Sequence, residues 1–308
     1  MKSTCLICTA AALFAATVAT ATAANGPRAV SADELKKIEA ALPDAAPVKP
    51  DDPRKILVFD LTEGFVHDCI PVCNKAIELL GTKTGAYTAT VSHDMGVFTT
   101  ANLAQYDAVL FNNTTGLKFN DQNQRQALLE YIRSGKGFIG IHAATDNFPT
   151  WPEAREMIGG QFEQHPWTAG GTSKGEGWAI KIDDPGHVLN KSFDGKGFYL
   201  KDEIYQIKGP YSRNTHRVLL SLDMAPDRNR LRPNVGRSDG DNPISWIKRF
   251  GDGRVFYCSL GHNREIYWNK AVLAHYLAGI QWALGDLKVD ETPSANLAKQ
   301  PEPALAPK

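Results

Sequence analysis

Neither sign of charge is in excess: 34 lysines and arginines face 34 aspartates and glutamates in a chain of 308 residues. Binding to nucleic acid, or adsorption to an anionic membrane, needs a basic surplus, so neither is expected. Cysteine is scarce, at 5 residues, and Cys5 and Cys8 fall in the first apolar run. Cys69, Cys73 and Cys258 remain beyond it, an odd number that gives no disulfide framework. Cys69 and Cys73 stand four apart, in phase with Ile77 and Leu80, as on a helix stripe facing a sheet. Cys258 ends the apolar stretch Val255-Phe256-Tyr257-Cys258 and reads as core. None of these cysteines occupies a tight strand-to-helix turn, which excludes a Cys hydrolase, and an ordinary hydrolase lacks an identifiable nucleophile. No HExxH or similar close-spaced metal signature is present.

What is present begins with a leader. Lys2 precedes an apolar run from Cys5 to Val18, and Ala21-Thr22-Ala23 offers a small-residue cleavage site. Residues 1–23 are expected to be a secretory signal peptide, placing the protein in the periplasm or outside the cell, with no membrane insertion after cleavage. The alternative, an uncleaved anchor, requires a span of about 20 residues, and this run is short for that. Cys5 and Cys8 stand at the start of the apolar stretch instead of ending it, which weakens a lipoprotein reading. Residues 24–54 read as a linker with one short helix: Ser31 can cap it, Glu34 lies three later, and Pro43 ends it. Residues 286–308, rich in Pro, Ala, Lys and Glu, are expected to form a disordered tail. The intervening 55–285, about 230 residues, suits a single α/β domain.

The first half of that core alternates strand and helix. Apolar runs at 55–60, 107–112 and 137–142 suit buried parallel strands, and Tyr87–Ser92 alternates as a further strand. Helices are expected from a cap at Asp68 to Leu80, stopped by Gly81, and from Asn120 to Arg133. This rhythm predicts a doubly wound, mostly parallel sheet. Further strands are expected at 179–182, 202–207 and 218–222, then a hairpin of 244–250 and 254–260 about Gly251-Asp252-Gly253. A last helix runs from about Trp268 to Leu284, with Gly285 as its stop.

The histidines carry the chemical signal. His187, His216 and His275 are assigned structural roles. His93 and His142 close strands, His262 follows the last strand, and His67 lies in the loop beyond the first. In open α/β sheets, ligands bind outside the carboxyl ends of strands, so a cluster here suits proton transfer or a divalent cation such as Zn²⁺. His142, flanked by Gly140 and by Ala143-Ala144, has the setting of a nucleophile elbow with imidazole in place of Ser or Cys. Asp146 follows, and Trp151 offers a stacking wall for a sugar ring. In Gly159-Gly160-Gln161-Phe162-Glu163-Gln164-His165-Pro166, glycine permits close backbone approach and Pro166 extends His165; the alternative is a plain loop. Of Asp202 and Glu203, one is expected at the surface and the other as a base or ligand.

These segments, with Gly64-Phe65-Val66-His67, Phe111-Asn112-Asn113-Thr114-Thr115-Gly116, Asp202-Glu203-Ile204-Tyr205 and Gly253 through Gly261-His262, together resemble the ThuA-like, or trehalose-utilisation, family over residues 55–284. Val66 departs from the pattern, which more often carries Arg there. The resemblance implies a flavodoxin-like, class I glutamine amidotransferase-like fold. It also implies a role in sugar metabolism, often near enzymes of oxidised (3-keto) sugars. His142 stands where amidotransferases carry Cys, so amide hydrolysis is not implied.

The expected function is a metal-assisted sugar enzyme that abstracts a proton beside a carbonyl, as isomerases and lyases do. His67, His142, Asp146 and Glu203 are its expected catalytic groups, His142, His165 and His262 its metal ligands, and Trp151, Thr115 and Asn113 its contacts to a small sugar or glycoside. The alternative is a non-catalytic carbohydrate-binding protein on the same fold.

Overall fold

The computed structural model describes residues 26–225, 227–229 and 236–308. The expected signal peptide, with its cleavage site, lies outside the described residues. In the linker, helix α1 (Ala32–Ala41) starts at a complete capping box, Ser31 with Glu34.

Strand β1 (Lys55–Phe59) leads to helix α2 (Ile70–Thr84), then β2 (Thr88–Ser92), the short helix α3 (Thr100–Leu103), β3 (Ala108–Asn112), α4 (Gln122–Arg133), β4 (Gly137–Ile141) and α5 (Pro152–Ile158). Strands β5 (Gln161–Trp167), β6 (Trp178–Ile182), β7 (Phe198–Leu200), β8 (Ile204–Lys208) and β9 (Arg217–Leu222) follow. The expected hairpin is β10 (Pro243–Phe250) with β11 (Gly253–Cys258), and α6 (Lys270–Leu284) ends at Gly285 in the left-handed conformation.

The main sheet runs β2-β1-β3-β4-β11-β10-β9-β6-β7. Its first five strands pair in parallel, in the 2-1-3-4-5 order of flavodoxin-like folds, and the rest pair antiparallel. The inner parallel strands β1, β3 and β4 are largely apolar because both faces are covered, whereas β2, at the sheet edge, is more polar and more exposed. Ile56 and Val58 face α2 and α6, in a cluster with Ile77, Leu80, Leu273 and Leu277. Leu57 and Phe59 face α4 and α5, with Leu128, Ile132 and Met157. Cys69, Cys73 and Cys258 are buried and unbridged, as expected.

Two sequence expectations change. The Gly-rich segment at His165 is not the plain loop of the alternative reading: β5 pairs antiparallel with β8 as a separate two-stranded sheet. The segment 286–308 is not a free tail. Asp286 pairs with Arg54, the Ser294 hydroxyl accepts a 2.8 Å hydrogen bond from the Val218 amide, and Ala304 bridges Ile182 along the sheet. Its composition is polar, but its few apolar residues find places: Leu287 and Ala306 are buried.

Candidate metal centre

Four loops at the carboxyl end of the parallel sheet and beside it supply one cluster. His142 is the first residue past β4 and adopts φ 47°, left-handed as in a nucleophile elbow. Its Nδ1 lies 2.7 Å from the carbonyl of Ser259. A carbonyl only accepts, so Nδ1 carries the proton and Nε2 presents its lone pair. That Nε2 is buried with no hydrogen-bond partner, and so are His67 Nδ1 and His262 Nδ1. The His142, His67 and His262 rings lie edge to face, with centroids 5.0 to 5.3 Å apart.

Glu203, just before β8, turns its carboxylate to the cluster. Oε1 is 3.5 Å from His262 Nδ1 and 3.8 Å from His142 Nε2, while Oε2 is 3.2 Å from His165 Nδ1. Its neighbour Asp202 is the opposite of a surface residue. It is fully buried, and its carboxylate accepts hydrogen bonds from the amides of Gly261 (2.6 Å) and Asn263 (2.7 Å). This fixes the backbone on both sides of His262. Gly261 is required there: φ is 131°, and a Cβ would stand 2.7 Å from the Tyr267 hydroxyl.

Burial sets the electrostatics. It holds His67 down to about 3, helped by His262 and His165, and drives His142 well below the ordinary range. His262 is lowered for the same reasons, burial first and His165 second. Burial thus favours the neutral imidazole, the form that can ligate a cation, in all three rings, and one ring nitrogen of each faces the others. Burial raises the Glu203 carboxyl against the pull of His165, lifts Asp146 to about 6, and lifts Asp202 to about 7 despite its amide donors.

One ligand atom each from His67, His142, Glu203 and His262 lies within 4.8 Å of all the others. Nitrogen and carboxylate donors of this kind suit Zn²⁺ or another divalent first-row cation. The unpartnered nitrogens fit such an ion, because unsatisfied buried polar atoms are otherwise costly. The Ser259 carbonyl would orient His142 as an outer partner.

Above the cluster lies a pocket of about 240 Å³, lined by Phe65, Asp146, Phe162, His165 and Tyr205 together with His67, Glu203 and His262. That is below the roughly 300 Å³ at which pockets for drug-sized ligands begin, a size for a single ring. Phe65 is 66% exposed at its edge.

His67, His142 and Glu203, expected as catalytic groups, thus stand in the donor set. Of the expected ligands, His142 and His262 join it and His165 does not: it sits half-exposed on β5, on the far oxygen of Glu203. Asp146, expected as a catalytic group, lines the pocket. The expected sugar contacts are corrected. Trp151 is 3% exposed and packs against Phe119 and Phe148 inside the core, out of a ligand's reach. Asn113 is buried and donates to Asn112 Oδ1 and to the Tyr267 hydroxyl. Thr115 is buried and donates to the Phe65 carbonyl at 2.7 Å, so it positions the loop and not a ligand. His93 closes β2 but stays in solvent, because β2 is the outer edge of the sheet. His187, His216 and His275 are buried, with their rings engaged by backbone or Ser245. The pocket aromatics Phe65, Phe162 and Tyr205 were missed as contacts; the only sequence signal was their closeness to His67, His165 and Glu203.

Residues 55–283 match the ThuA family, described as trehalose utilisation. The chain belongs to the ThuA family. A ThuA-like protein from Bacteroides uniformis ATCC 8492 is 21% identical, with a TM-score of 0.58 over 76% of this chain and 93% of its own. Another, from Parabacteroides merdae ATCC 43184, is 20% identical, with a TM-score of 0.56 over 78% of this chain and 92% of its own. At such identity the likeness shows the fold. A search of curated proteins gives no match. The ThuA match begins at residue 55, so α1 and its capping box precede it.

Proposed function

We propose that this ThuA-family protein is an exported, metal-assisted enzyme that abstracts a proton beside the carbonyl of a keto sugar or glycoside, leading to isomerisation or elimination. The observation that carries the reading is the convergence of three unpartnered imidazole nitrogens and Glu203 at the base of a ring-sized pocket. His67, His142, Glu203 and His262 would hold a divalent cation, which supplies Lewis-acid polarisation of a carbonyl. Asp146 is the base we assign: it is a carboxylate on the pocket wall, outside the donor set, with a basicity raised by burial. His165, half in solvent, is placed to pass the proton outward. Phe65 and Phe162 offer aromatic surface to the C–H face of a sugar ring. Export rests on the apolar run Cys5–Val18 followed by the small-residue site Ala21-Thr22-Ala23.

The test uses purified protein, elemental analysis and a 3-keto glucoside in D₂O followed by NMR. Deuterium should enter the carbon next to the carbonyl, a chelator should stop the exchange, and Asp146→Asn should stop it with metal content retained. Saturable sugar binding with no exchange would instead establish a binding protein. Exchange undiminished by metal removal would sink the metal-assisted reading.

A further inference from the structure

Arg264 lies two residues beyond His262, is 6% exposed, and has every one of its N–H groups engaged. Nε and Nη2 form a fork on the Glu34 carboxylate at 2.7 and 2.9 Å. Nη1 donates to the carbonyls of Arg28 (3.0 Å) and Asp68 (2.6 Å), and Nη2 also to that of Ala29 (3.2 Å). Asp68 follows His67 directly, and its carboxylate accepts from the Arg28 amide at 2.7 Å. One guanidinium therefore ties the His262 loop, the His67 loop and the linker before the ThuA match into a single knot. Glu34 is itself fixed: it closes the capping box of α1 and is 6% exposed. The hydrogen bond from Arg264 holds its carboxyl down to about 2.

We propose that Glu34 and Arg264 are positioning residues of the cation site, so that the linker outside the ThuA match completes the site by holding His67 and His262 in register; this rests on the metal reading above. A clasp that served only stability would leave cation affinity of the folded protein unchanged. The discriminating quantity is therefore affinity.

Wild type, Arg264→Lys and Glu34→Gln would be compared. Zn²⁺ affinity is read by competition with a chromophoric chelator, and the Co²⁺-loaded protein by its visible spectrum. Circular dichroism establishes folding at the working temperature. Lys keeps the charge and loses the fork, and the expected result is a 10–100-fold weaker affinity with an altered Co²⁺ spectrum. Glu34→Gln keeps the shape and should shift both readouts the same way by less; it also serves if the Arg264 variant does not fold. Folded variants with wild-type affinity and spectrum would overturn the proposal. Wild type that takes up neither cation would overturn the metal reading, and this inference with it.

Discussion

At the scale of single residues, backbone geometry at His142 separates its role from those of other histidines. A non-glycine residue at φ 47° is strained, and here it aims a lone pair at His67, His262 and Glu203. His142→Ala should abolish Zn²⁺ uptake, measured by elemental analysis after reconstitution, while unfolding stays cooperative; full occupancy in the variant would remove His142 from the donor set. Two aromatics give a contrasting pair. Trp151→Ala should cost about 3–5 kcal/mol in chemical denaturation, as large buried aromatics do. Phe65→Ala should stay within about 0.5 kcal/mol, since the ring is exposed, yet weaken sugar binding; equal effects of the two variants on stability would refute the assignment. Legibility at this scale was uneven. Strand-end histidines could be read from the apolar runs before them. Trp151 could not, because residue type does not say which side of a loop faces the core. His165 depended on the pairing of β5 with β8, a long-range register that local sequence does not contain.

At the scale of elements, strands β1, β3 and β4 were legible because burial on two faces makes each a continuous apolar run. Helix ends were less so, for definable reasons. Asp68 does not cap α2, since its carboxylate is taken by the Arg28 amide. Gly81 does not stop α2; it makes room for the Tyr87 ring, and the helix continues to a left-handed Gly85. Gly279 of α6 works the same way against β11. In an open helix, Gly→Ala stabilises by about 1 kcal/mol. Here the new Cβ would stand 2.5 Å from the buried Phe256 ring, and overpacking of this kind costs about 1–3 kcal/mol. Gly279→Ala should therefore destabilise, measured by denaturant titration; a stabilised variant would show that the α6–β11 contact can yield.

At the scale of the whole molecule, two histidines outside the pocket lining weaken the fold in acid. Burial, first among the causes, lowers His216 and His275 from 6.5 to about 4. Between those values the unfolded chain binds protons that the folded one refuses, so folding stability is present above pH 6.5 and is lost as pH falls toward about 4. Asp146 and Asp202, raised by burial, act in the opposite sense over this window, so the histidine contribution is read as a difference. His275→Gln should lose less melting temperature than wild type between pH 6.5 and about 4, and an unchanged slope would mean that the ring at 275 takes up its proton in the native state.

The donors of the cluster come from positions 67, 142, 203 and 262, each in a different loop. No unfolded chain holds them together, so an ion there would act as a removable cross-link among four distant stretches and would bind the native state alone. Linkage then gives the size of its effect: free cation at 100 times its dissociation constant adds about 2.7 kcal/mol, which for a domain of this size raises the melting temperature by roughly 5 °C or more. The same relation makes the folded population respond to chelation, so that the supply of the ion would govern how long the protein lasts as well as whether its pocket is armed.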